Sequence, residues 1–183
     1  MPMISPEVND KLNDLVAYQF YLNRVWDAGL SKLNVDFVMS NFEATFHAGL
    51  AHKFPLIADA ISEVQTNFNN VTTYKLTPQG RNDFATPLEF FEFALAEMVR
   101  GQKMIVECTE MLQGMPDEFG INPVIAASLK KLARFFAAYV GQAILLRDKS
   151  KAYGQKPLNI QLFDEEADSF LVVPEAIPTL LGE

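Results

Sequence analysis

The sequence predicts an all-α protein, a bundle of four long helices with one long crossover and a C-terminal extension. Three observations carry this prediction. Four segments repeat apolar residues at helical spacing over roughly seven turns or more. Helix-starting residues stand at the beginning of three of them: Ser5-Pro6, Thr86-Pro87 and Asn122-Pro123. Between the second and third segments the periodicity is lost over roughly 19 residues, which is typical of a crossover along the outside of a bundle.

Composition restricts the class of protein. The 183 residues suit one domain, and 49% hydrophobic with 21% charged residues is ordinary globular composition. We expect one domain over 1–183, with a core at about 4–153 and a tail at 154–183. Charged or amide residues interrupt every apolar run, so we expect no membrane span. The net charge of −8 without a Lys/Arg cluster argues against a nucleic-acid partner. The single Cys108 excludes a disulfide framework and favours a cytoplasmic location.

The first helix is predicted from about Ser5 to Leu33, with Ser5 as its cap and Pro6 in its first turn. Its apolar stripe contains one amide, Gln19. The connection over 33–36 is very short, so the second helix should run antiparallel beside the first.

The second helix should follow an apolar pattern that continues to Phe68. Pro55 lies inside this pattern and predicts a kink or a break at that point. Glu43 and His47 are four residues apart, so both side chains can reach one point beside the apolar stripe.

The third helix is predicted from Thr86 to about Gln113, and Glu97 falls near the middle of its apolar stripe. The fourth should run from Asn122 to about Tyr153. It presents Tyr139 and Gln142, three residues apart. Beyond Gly154, residues 157–163 are predicted to be extended, and the proline-broken tail should pack over the bundle or onto a neighbouring subunit.

Polar groups on four facing stripes predict a site in the bundle core. An unpaired buried carboxylate is expensive, so such groups are usually paired, protonated or bound to metal. Carboxylates and imidazole are ligand types that divalent metals accept. A hydrogen-bonded structural network of the same residues remains an open alternative. The predicted metal ligands are Glu97, His47, Glu43 and Gln19, with Tyr139 and Gln142 lining the same space.

A second cluster is predicted on the outer face of the second helix. His52, Asp59 and Glu63 share that face, and Asp59 and Glu63 have the spacing of a ligand pair. A solvated polar face is the alternative interpretation, and a subunit interface would favour the site.

The layout resembles the ferritin-like superfamily, which includes ferritins and mini-ferritins, over roughly residues 4–153. The segment Leu12–Gln19 resembles the first ferritin helix, with Gln19 where that family carries a glutamate ligand. The segment Phe42–Ala48 resembles the Glu-x-x-His-Ala motif of the second helix, with the glutamate displaced to Glu43. The segment Ala94–Glu97 resembles the third helix with its glutamate, and Tyr139 with Gln142 occupies the ligand spacing of the fourth.

This resemblance implies iron as the cofactor, held by a degenerate di-iron ligand set. The expected function is iron binding, storage or homeostasis, with weak or absent ferroxidase activity. The alternative is a non-catalytic bundle of the same fold that acts as a structural or interaction module. A bundle of the DinB type is less favoured, because those proteins use three histidines and this chain has two.

A homo-oligomer is expected, because apolar residues lie off the predicted core stripes of two helices. They are Phe20 and Tyr21 on the first helix and Ile144 and Leu145 on the fourth.

Overall fold

A computed structural model describes residues 1–182, and over that range the chain forms helices and turns without a β-strand. The helices are α1 (Pro6–Phe37), α2 (Ser40–Phe46), a π-helical turn (His47–Ala51), α3 (Lys53–Asn67), α4 (Pro87–Met111), α5 (Asn122–Tyr153) and α6 (Pro157–Glu165). Short 3₁₀ turns follow α4 and α6 (Leu112–Gly114 and Ala167–Phe170). The predicted all-α class is confirmed. Among these helices, none combines the length and the apolar character that a bilayer span requires.

The helices form an up-down-down-up bundle, as predicted. Asn13 near the start of α1 bonds Gln65 near the end of α3, so α1 and α3 are antiparallel. Lys11 and Cys108 line one cavity, which makes α4 antiparallel to α1 as well. The helices α3 and α4 therefore run parallel, and only a long crossover can connect them.

The crossover lies along the outside of α1. Lys75 donates to Asp14 at 2.6 Å and pairs with Asp10 at 2.7 Å. Further along, the Arg24 guanidinium donates to the carbonyl of Thr77 at 2.9 Å. The two ion pairs hold the crossover against α1, and Arg24 provides a hydrogen bond to a backbone carbonyl that has no partner in a helix or sheet.

Capping residues fix where two of the long helices begin. The Ser5 hydroxyl accepts from the Val8 amide at 3.3 Å, and the Thr86 hydroxyl accepts from the Glu89 amide at 3.1 Å. At its other end α1 continues to Phe37, four residues beyond the predicted end. It stops where Val38 adopts a left-handed conformation with φ 57°.

The buried face of α4 is rotated from the predicted one. Its apolar interior contains Phe90, Phe91, Ala94, Met98, Gly101, Ile105 and Cys108. Met98 thus takes the interior position predicted for Glu97, which is half-buried at the edge facing α1. Most of the predicted stripe is still buried, so the rotation is smaller than the roughly 100° that one residue represents, and it brings the bulky Phe91 and Met98 side chains into the interior.

The second predicted helix is interrupted before Pro55. The π turn and His52 separate α2 from α3, and Pro55 then lies in the first turn of α3. Proline lacks the N–H that would bond the carbonyl of Ala51, four residues earlier. The side-chain amide of Asn23 on α1 donates to that carbonyl instead, at 3.1 Å.

The tail begins with a helix where an extended segment was predicted. Pro157 opens α6, and Ile160 and Phe163 are buried at helical spacing, so helix formation hides both side chains. Asp164 accepts from the Phe42 amide at 2.8 Å and the Asn41 amide at 3.2 Å, and it thereby caps α2. The following residues cross the bundle between α5 and the π turn.

Candidate metal centre

Three potential metal ligands meet where α1 passes the π turn. Asp27, His47 and His52 each present a ligand atom, and these atoms lie within 4.8 Å of one another. Within residues 1–182 this is the one group of three such side chains. His47 Nδ1 is 3.2 Å from Asp27 Oδ1, and the two imidazole centroids are 4.1 Å apart.

The π turn is what brings the two histidines together. The His52 amide donates to the carbonyl of His47 at 3.1 Å, a bond that spans five residues instead of four. In an uninterrupted α-helix, residues five apart point about 140° away from each other. The extra residue in the turn places His52 nearly above His47.

Asn23 fixes Asp27 against this turn. One Asn23 amide nitrogen donates both to Asp27 Oδ2 at 3.0 Å and to the Ala51 carbonyl at 3.1 Å. A primary amide has two N–H donors, so both bonds can form at once. The Ala51 carbonyl, which Pro55 leaves without its helical N–H donor, therefore helps to position Asn23 and, through Asn23, the Asp27 carboxylate.

The donor set fits a divalent transition metal. Asp27 Oδ1 is buried and receives no hydrogen bond, although His47 Nδ1 lies 3.2 Å from it. Two ligand atoms that occupy adjacent positions about 2.1 Å from a metal lie about 3 Å apart. The 3.2 Å between His47 Nδ1 and Asp27 Oδ1 is close to this separation. Two histidines with one carboxylate, and open positions on one side, are typical of non-haem Fe(II) sites. His52 is exposed, so that side is open to solvent.

Glu97 is not part of this group. Its Oε2 accepts from the Tyr18 hydroxyl at 2.6 Å between α1 and α4. Burial, and then this hydrogen bond, raises the pKa of Tyr18 well above its ordinary value. The arrangement is the satisfied carboxylate–phenol pair of a structural network. A role for Glu97 as a metal ligand stays a prediction.

The predicted interior residues Gln19, Tyr139 and Gln142 are buried, but no hydrogen bond joins them to one another. Gln19 is fully buried, and neither of its amide atoms has a hydrogen-bond partner. The Tyr139 hydroxyl lies 3.4 Å from the Pro174 carbonyl, and Gln142 bonds the backbone at Phe170 and Val172. The structure therefore does not bring Glu97, His47 and Glu43 together around Gln19 and Tyr139.

The remaining predicted residues lie on the surface of the second helical stretch. Glu43 is half-buried on α2, and Asp59 and Glu63 are exposed on α3. His52 was grouped with Asp59 and Glu63 on the assumption of a continuous helix. The π turn changes that register, and His52 lies with His47 and Asp27 instead.

Sequence reasoning missed Asp27, which lies off the apolar stripe of α1. Two signals pointed toward it. Asn23 and Asp27 are four residues apart and share a helix face. Pro55 stands four residues after Ala51, so a polar side chain from a neighbouring helix was needed at that carbonyl. Neither signal predicts which side chain of the neighbouring helix bonds the Ala51 carbonyl.

Comparison with known proteins identifies the fold. No protein-family profile matches the chain, and no curated protein sequence shows detectable similarity to it. Solved structures do match. An open-pore ferritin from Archaeoglobus fulgidus is 14% identical with a TM-score of 0.81, covering 90% of this chain and 98% of that one.

Two further structures agree with the first. An engineered closed form of the Archaeoglobus fulgidus ferritin is 14% identical with a TM-score of 0.80, over 90% of this chain and 96% of that one. A ferritin from the green alga Ulva pertusa is 15% identical with a TM-score of 0.78, over 90% and 85%. The chain therefore has a ferritin-like fold.

Proposed function

We propose that this chain is an iron-binding protein in which Asp27, His47 and His52 hold one Fe(II) ion. The observation that carries the proposal is the two-histidine, one-carboxylate group with a buried oxygen that lacks a donor. Because the fold is ferritin-like, iron is the metal that we expect at this site. The role that follows is iron binding, storage or homeostasis.

Ferroxidase activity should be weak or absent. Two iron ions in the bundle core would carry four positive charges, which buried carboxylates must compensate. Among the described residues, the only carboxylate that is almost fully buried is Asp164, and it caps α2. The interior offers neutral Gln19, Tyr139 and Gln142 where charge would be required.

A non-catalytic module with the same fold is the second candidate. The unpartnered interior amide of Gln19 favours it, because a working di-iron centre would place a charged ligand there. Metal retention separates the two functions, since the module requires none.

The test is anaerobic loading with Fe(II), desalting, and measurement of iron per chain by mass spectrometry. The intact chain should retain about one equivalent, as expected for one three-ligand site. His52→Ala should lose retention with little effect on folding, because His52 is exposed. Asp59→Asn, on the same helical stretch, is the matched control and should retain the metal.

Glu97→Ala distinguishes the site proposed here from the core site that the sequence predicts. Retention in Glu97→Ala and loss in His52→Ala support the Asp27 group. The reverse pattern would assign the metal to the bundle core. No retention by the intact chain, with normal helical content, would leave the structural module.

A further inference from the structure

The π turn needs support from outside the helix. Such turns are rare, because a continuous α-helix has better hydrogen-bond geometry, and they persist where surrounding structure imposes them. The Asn23 amide supports the turn from the α1 side. The opposite side is covered by the C-terminal residues 166–182, which we call the strap.

The strap contacts the histidine segment before, within and after the π turn. The Thr45 hydroxyl donates to the Asp168 carboxylate just before it. Within the turn, the Leu171 side chain fills the space above Gly49: a Cβ at position 49 would lie 2.5 Å from Leu171 Cδ2. After the turn, Lys53 Nζ donates to the Glu175 carbonyl at 2.8 Å.

Gln142 fixes Leu171 from the other side. This fully buried amide on α5 donates to the Phe170 carbonyl at 2.7 Å and accepts from the Val172 amide at 2.7 Å. The two bonds bracket Leu171, so its position above Gly49 is determined by α5. The strap thus links α5 to the turn that carries the metal ligands.

We propose that the strap, through Leu171, holds the π turn in the register that the metal site needs, so that strap docking and metal binding are coupled. This inference rests on the proposed function. Without Leu171 above Gly49, the turn keeps only its support from Asn23, and any shift away from the π register moves His52 away from His47. By linkage, a metal ion that holds the two histidines together stabilises the docked strap to the same extent.

The first measurement is Co(II) affinity, with Co(II) as a spectroscopic substitute for Fe(II). Leu171→Ala should weaken binding at least about fivefold, the lower range of site-to-site coupling. Val172→Ala is the matched control, because Val172 is the next residue of the strap and is 61% exposed. Ile105→Val, in the opposite half of the bundle, controls for a general loss of stability.

The second measurement needs no metal. Hydrogen exchange of residues 47–53 reports the bond from His52 to His47, and it should accelerate in Leu171→Ala but not in Val172→Ala. In the intact chain, saturating Co(II) should slow exchange in the strap. If the intact chain binds no metal, the proposed function fails, while the metal-free exchange still shows whether the strap holds the turn.

A double-mutant cycle tests the contact itself. Gly49→Ala places a methyl group where Leu171 packs, so alone it should disturb the turn, and with Leu171→Ala it should be tolerated. Strictly additive effects on Co(II) affinity and on exchange would overturn the proposal. Unchanged affinity and unchanged exchange in Leu171→Ala would do the same.

Discussion

Asn23 shows how one side chain can determine the geometry of a site. It bonds a backbone carbonyl freed by Pro55 and the carboxylate of Asp27 at the same time. Asn23→Ala should therefore cost about 1–2 kcal/mol of unfolding free energy and also weaken metal binding. Urea unfolding and Co(II) titration measure the two effects, with Asn34→Ala on the same helix as the control. Loss of stability without any change in affinity would show that Asp27 does not depend on Asn23.

Tyr139 should lower the free energy of unfolding at alkaline pH. Burial raises the pKa of Tyr139 from its ordinary value of 10.0 to about 12. Above pH about 10 the unfolded chain loses this proton and the folded chain keeps it, so the unfolding free energy falls as pH rises. The contribution is fully present below pH about 10, and about 2 kcal/mol of it is lost by pH 12.

Tyr139→Phe isolates this effect from those of the other tyrosines. Urea unfolding at several pH values from about 9 to 11 should show a shallower decline in the variant than in the wild type. Parallel declines in the two proteins would show that Tyr139 ionises freely in the folded state.

At the scale of elements, the tail helix α6 makes the short helix α2 possible. Met39 precedes α2 and offers no side-chain cap, and Asp164 from α6 accepts from two of the first amides instead. Asp164→Ala should cost about 1–3 kcal/mol, because it leaves two N–H groups without acceptors. Urea unfolding measures the loss.

Glu165→Ala is the matched control, since Glu165 is the exposed neighbour of Asp164 on the same helix. Hydrogen exchange in residues 40–46 should rise only in Asp164→Ala. Equal hydrogen exchange of residues 40–46 in both variants would mean that water can replace Asp164 as the acceptor for the first amides of α2.

For the whole molecule, apolar surface on the crossover supports the predicted homo-oligomer. Phe20 and Tyr21, which suggested it, are half-buried, while Val71, Tyr74 and Leu76 are exposed, Leu76 completely. Light scattering should therefore report a mass above the 20.5 kDa of one chain. Leu76→Lys should shift the protein toward the monomer, whereas Val35→Lys, at an exposed position late in α1, should not. A monomeric wild type would refute the prediction.

The sequence by itself determined the four-helix layout. Helical spacing of apolar residues, the caps at Ser5 and Thr86 and the aperiodic crossover are local signals, and each acts within a few residues of the chain. The topology followed from them, because a very short first connection and a long second one leave few ways to close a bundle. The sequence also singled out His47 and His52 as candidate ligands, although it placed them in two separate clusters.

The tertiary structure alone decided which candidate ligands lie close together. Periodicity locates the centre of a helix face only approximately, and the packing of Phe91 and Met98 turned Glu97 to the edge of that face, toward Tyr18. The π turn depends on contacts from Asn23 and Leu171, which are distant in sequence from the histidines that it aligns. Asp27 joins them from another helix, and only the packing of α1 against the turn brings its carboxylate to that point.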